Sequence, residues 1–131
     1  MNILLHDKSF QISNQIERNI KSIDDTISIK KVYETDAVIA NASAANYKIL
    51  IVDGNSLDGR FKEVVPVFKK TNPDSYLIVL LCFGDGRLKD KFTDNGADSC
   101  FDRISEFDTF MDFIKSINEE YKDSMKFQNA V

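Results

Sequence analysis

Short apolar runs alternate with helical periodicities along this chain, and that alternation restricts its fold more than any other feature. A strand buried on both faces reads as an unbroken apolar run. A helix lying on a sheet instead shows apolar residues three and four apart. Ile3-Leu4-Leu5 is the first run, and Phe10, Ile12, Ile16, Ile20 and Ile23 follow it at helical spacing. Ile27, Ile29 and Val32-Tyr33 predict a second strand, and the alanine-rich stretch from Asp36 to Asn46 a short helix. Ile49-Leu50-Ile51-Val52 is the next buried strand, and Phe61, Val64, Val65 and Phe68 mark a helix that Pro66 should kink or delay. After the Asn72-Pro73-Asp74 turn, Leu77 to Phe83 is the longest apolar run. Leu88 and Phe92 sit on a short helix closed by Gly96, and Ser99 to Asp102 read as a fifth strand. The last helix is expected to take Ser105 as its N-cap, with Asp108 three residues on. It should turn Phe107, Phe110, Met111, Ile114, Ile117 and Tyr121 inward and leave Phe113 off that face.

Such alternation predicts an α/β fold, a doubly wound five-stranded parallel sheet. Right-handed crossovers then gather the strand-to-helix loops at one edge, where such sheets bind ligands. Three of those loops begin at Asp7, Asp53 and Leu81-Cys82. At 131 residues there is room for one core and no second domain. Residues 1–122 should form that domain, with 123–131 a frayed tail.

Composition excludes several functions. The net charge is −4 and no Lys/Arg run exceeds two residues, which argues against direct nucleic-acid binding. A single histidine removes His-rich metal sites and most histidine-based catalysis. No apolar run reaches the roughly 18 residues of a membrane span, and Met1 leads into a strand rather than a signal peptide. Cys82 and Cys100 lack metal-ligand spacing and read as small buried thiols in a reducing compartment. A cytoplasmic location is the expectation.

The chemistry centres on two acids. Asp7 follows the first strand and Asp53 the third; with strand order 2-1-3-4-5 those strands are neighbours, and the carboxylates share a cleft. Paired carboxylates can bind a hard cation, and one can act as a nucleophile toward phosphorus. Two solvated turn carboxylates remain the plain alternative.

Asn2-Ile3-Leu4-Leu5-His6-Asp7, Ile49-Leu50-Ile51-Val52-Asp53 and Gly96-Ala97-Asp98 together resemble the receiver domain of two-component response regulators, over about residues 1 to 121. The resemblance implies a flavodoxin-like fold. It also implies a phosphoacceptor rather than an enzyme, with Asp53 taking a phosphoryl group from a histidine kinase or phosphotransfer protein to control a partner or output domain. It assigns Mg²⁺ to Asp7, Asp53 and the backbone carbonyl of Asn55. Leu81 falls where the family has Thr or Ser, Arg103 where it has Lys, Cys100 at its switch aromatic, and Leu57 where a Pro is usual. Helix phase makes Asp7 the first of the family's two acids and leaves Lys8 at the second. Replacing a carboxylate by an ammonium changes an interaction of ~4 kcal/mol at an effective dielectric near 20, before solvation, so Mg²⁺ should bind weakly. Lys8, at the pocket rim, could offset phosphate charge instead. His6 is expected to pack at its strand end rather than act in chemistry.

These departures keep a second reading open: an atypical pseudo-receiver acting through protein contacts without phosphorylation, for instance as a homodimer through the last helix and fifth strand. Other readings fail on particular residues. A calcium loop from Asp53 would have Leu57, Asp58 and Val64 at its fifth, sixth and twelfth positions. An aspartate phosphatase would want an acid where Asn55 stands. A flavin site would want a phosphate loop where Lys8-Ser9-Phe10-Gln11-Ile12-Ser13 stands.

Overall fold

Parallel strands can be joined only by crossovers, and in this chain each crossover is a helix. The structure, a computed structural model, describes residues 1–44, 46–82 and 85–129. In chain order the elements are β1 (Asn2–His6), α1 (Phe10–Ile23), β2 (Ser28–Val32), α2 (Thr35–Ala44) and β3 (Ile49–Asp53). A 3₁₀ turn (Gly54–Ser56), α3 (Phe61–Thr71), β4 (Tyr76–Leu81), α4 (Gly86–Asp94), β5 (Ser99–Asp102) and α5 (Phe107–Asn129) complete them. The five strands lie in the order β2-β1-β3-β4-β5, all parallel, as the sequence predicts.

The pleat sends alternate residues to opposite faces. Leu4, Leu50, Val52, Leu77 and Val79 pack with α2 and α3 through Val38, Val64 and Phe68. Ile3, Leu5, Ile49, Ile51 and Ile78 pack with α1 and α5 through Ile16, Ile20, Phe110, Ile114 and Ile117. Ile49 through Val52 are all inaccessible to solvent. Burying each such side chain contributes about 1.5–3 kcal/mol, which makes β3 a firmly held platform for whatever follows it. Edge strand β2 buries only Val32 fully.

Several local expectations are corrected. Pro66 lies inside α3 and does not delay its start at Phe61; its exposed ring costs a hydrogen bond only on the solvent side. Ser105 does not cap α5, which begins at Phe107. The backbone N–H groups of Ile104 and Ser105 instead donate to Asp102 Oδ1, each at 2.9 Å, so an acid at the end of β5 organises that turn. Phe113 is not off the packed face: it is half-buried against Tyr76 and Phe101. Phe10 is 64% exposed and stacks obliquely on Tyr33 rather than entering the core. Helix α5 continues to Asn129, past Asp123 where fraying was expected. Strand β4 ends at Leu81, and Phe83 lies outside the described residues.

Gly96 does close α4 as read from sequence. Its φ of +113° suits glycine, and a Cβ there would come 2.6 Å from Val65 Cγ1.

Candidate functional site

The parallel register brings the two acids level. Leu5 pairs with Ile51, so Asp7, two residues beyond, stands opposite Asp53 at the carboxyl edge of the sheet. Asp7 is only 4% exposed. Its Oδ1 accepts a hydrogen bond from Ser9 N–H at 2.8 Å, and its Oδ2 lies 3.6 Å from Arg103 Nη1. Burial raises its pKa first; the Ser9 N–H lowers it, the Asp53 charge raises it and Arg103 lowers it. Asp7 and Asp53 thus follow adjacent strands at one edge, and Arg103 approaches Asp7.

Asp53 ends β3 half-buried and starts the 3₁₀ turn. Its Oδ1 accepts from Asn55 N–H at 3.1 Å, and its Oδ2 accepts a short hydrogen bond from the Ser56 hydroxyl. The Asn55 side chain reaches across to the end of β4, where its Oδ1 accepts from Cys82 N–H at 2.9 Å. This turn can lie so close to the sheet because residue 54 is glycine. A Cβ there would sit 2.6 Å from Leu81 Cδ2, 2.8 Å from Val79 Cγ1 and 3.0 Å from Phe92 Cζ.

Leu81 is buried, with its side chain packed toward Gly54, so it offers the site no polar group. Its carbonyl accepts from Arg103 N–H at 2.7 Å, which ties the start of the β5–α5 turn to β4. That turn is braced further: Glu106 Oε1 accepts from Asp102 N–H at 2.9 Å and pairs with Lys89 of α4. Leu57 is buried in the core. Cys100 is partly buried against the α2–α3 side, and burial pushes its thiol up to about 11.

Lys8 is aimed at neither acid. Its Nζ lies 3.2 Å and 3.3 Å from the two carboxylate oxygens of Asp58, a residue at φ +55°. This bridge links the loop after β1 to the loop after β3. Both side chains are roughly half exposed, and such pairs contribute about 0–1 kcal/mol, so it can open cheaply. His6 is 1% exposed with neither ring nitrogen hydrogen-bonded, and burial lowers its pKa; it packs at the strand end.

Two carboxylates and the backbone carbonyl of the exposed residue Asn55 suit a hard cation in kind but not in number. Among the described residues no three His, Cys, Asp or Glu side chains cluster to hold a metal. The arrangement sets a half-exposed carboxylate beside a buried acid, with a guanidinium 3.6 Å from the latter.

The sequence reading assigns no role at this site to Ser56, Asp58 or the Asn55 side chain. Ser56 alone had a local signal, since Asp with a hydroxyl three residues on is a common turn arrangement. The other two reach partners 27 and 50 residues away.

No protein-family model matches the sequence, and no curated protein does. Solved structures do match. A response regulator from Burkholderia pseudomallei, solved with a phosphorylated aspartic acid, a calcium ion and citrate, superposes with TM-score 0.71 at 17% identity, over 98% of this chain and 74% of that one. The receiver domain of NtrC4 from Aquifex aeolicus gives TM-score 0.74 at 18% identity, over 92% and 98%. A protein from Burkholderia thailandensis named for pilus assembly (cpaE) gives TM-score 0.74 at 12% identity, over 91% and 98%. At these identities the likeness is one of architecture. Strand order and helix placement agree with it: the chain has the fold of response-regulator receiver domains.

Proposed function

We propose that this chain is a phosphoacceptor receiver module whose Asp53 takes a phosphoryl group from a histidine kinase or phosphotransfer protein and so controls a partner or output domain. The observation that carries the reading is the half-exposed Asp53 carboxylate level with buried Asp7 at the carboxyl edge of adjacent strands. Asp53 is the nucleophile toward phosphorus, and Arg103, 3.6 Å from Asp7, brings a positive charge to the same edge. Asp7, Asp53 and the Asn55 carbonyl would hold Mg²⁺, which neutralises charge on phosphoryl oxygens when bound. Lys8 can leave Asp58 at little cost and turn toward an arriving anion.

One feature favours the second reading, a pseudo-receiver acting through protein contacts alone. The polar groups at the site already have partners: Ser56 and Asn55 N–H on Asp53, the Asn55 side chain on Cys82 N–H, and Lys8 on Asp58. The two readings separate on intact mass after incubation with acetyl phosphate and Mg²⁺. A hydroxylamine-labile phosphoryl adduct, absent from Asp53→Asn, is the expected result. No adduct at any Mg²⁺ concentration leaves only the interaction reading. No described helix is long and apolar enough to cross a membrane.

A further inference from the structure

Phosphoryl transfer leaves little covalent work to the protein: it must position the nucleophile and supply donors to the oxygens around phosphorus. The described residues at the end of β4, Leu81 and Cys82, carry no hydroxyl. Leu81 is apolar and buried, and the N–H of Cys82 is taken by Asn55 Oδ1. The side-chain hydroxyl that meets the nucleophile comes from the other direction, from Ser56 in the 3₁₀ turn, on Asp53 Oδ2. We infer that Ser56 is a catalytic residue of the Asp53 site, its hydroxyl holding the carboxylate in place and then donating to the phosphoryl group. This rests on the phosphoacceptor reading above.

The step balances without a proton from Ser56. A carboxylate oxygen of Asp53 attacks phosphorus, the new O–P bond forms, and the P–O bond of acetyl phosphate breaks, its electron pair leaving on acetate. Ser56 keeps its O–H throughout and changes only the oxygen it faces.

A donor on the carboxylate also weakens it as a nucleophile, so the sign needs deciding. The transition state is loose, with charge spread over the three equatorial oxygens and little bonding to the nucleophile. Weakened nucleophilicity therefore costs little, while a preplaced donor to those oxygens gains more. Asn55 N–H engages the other oxygen, Oδ1, so both ends of the carboxylate are oriented before a donor arrives. Gly54 permits the geometry, because any Cβ there would push the turn that carries Ser56 away from β4.

The test compares adduct formation from acetyl phosphate in the wild-type chain, Ser56→Ala and Ser56→Thr, with melting temperatures measured alongside. Ser56→Ala should form adduct roughly ten- to a hundredfold more slowly, below the hundred- to thousandfold of a fully enclosed donor, because Ser56 is half-exposed. Ser56→Thr should keep most of the rate, and neither substitution should shift the melting temperature enough to account for the loss. A wild-type adduct with Ser56→Ala as fast or faster overturns the assignment and leaves the phosphoacceptor reading standing. Ser56→Thr as slow as Ser56→Ala overturns it too, since the hydroxyl would then not be the determinant. No adduct on the wild-type chain overturns both together.

Discussion

Replacing Gly54 by alanine tests whether the site turn is held against the sheet by steric fit. The added Cβ would lie 2.6 Å from Leu81 Cδ2 and 2.8 Å from Val79 Cγ1, where carbon pairs normally rest at ~3.5–4.0 Å. Both neighbours belong to β4 and are essentially inaccessible to solvent, so neither can swing into water. Overpacking of this kind costs about 1–3 kcal/mol. Against it stands a gain of about 0.4–1 kcal/mol, because alanine restricts the unfolded chain more than glycine does. The clash should win by about 1–2 kcal/mol, a fall in melting temperature of about 3–10 °C for a chain of this size. Urea unfolding followed by circular dichroism, together with thermal melts, measures both. A Leu81→Ala variant opens space at the same spot, so the double variant should be less destabilised than the two single costs added, with a coupling of about 1 kcal/mol. A Gly54→Ala chain as stable as the wild type, or more so, would refute the steric argument, as would strictly additive costs.

Lys8→Asp would place a third carboxylate at the pocket rim and remove the partner of Asp58. Mg²⁺ affinity, read by NMR titration, should tighten at least tenfold, since the change is worth up to ~4 kcal/mol before solvation; unchanged affinity would show that Lys8 does not border the cation site. Cys100 should resist alkylation at neutral pH. Its thiol is pushed up to about 11 by burial, and only the thiolate reacts, so labelling by iodoacetamide should rise as pH climbs toward that value. Rapid labelling of Cys100 at pH 7.5, mapped by peptide mass, would contradict the packing described for β5.

The sequence by itself determined the architecture. Short unbroken runs such as Ile49–Val52, bounded by turn residues, fit strands covered on both faces, and the recurring three-and-four spacing from Ile12 to Ile23 fits one face of a helix. That alternation predicted a parallel, doubly wound sheet, and the flavodoxin-like strand order expected for it brings Asp7 and Asp53 to one edge. These are properties of local pattern and chain topology, and both are written residue by residue.

What only the tertiary structure decided is the state of each polar group at that edge. Lys8 finds Asp58, Asn55 finds Cys82 N–H and Arg103 approaches Asp7 because the folded sheet sets separate loops side by side. No spacing along the chain encodes those distances. The same holds for the misread surfaces. Phe113 has the helical phase of an outward residue, yet it finds Tyr76 and Phe101 of β4 and β5, while Phe10, apolar at the first turn of α1, stays 64% exposed beside Tyr33. Hydrophobic phase tells which way a side chain leaves its own element, and packing between elements settles what it meets there.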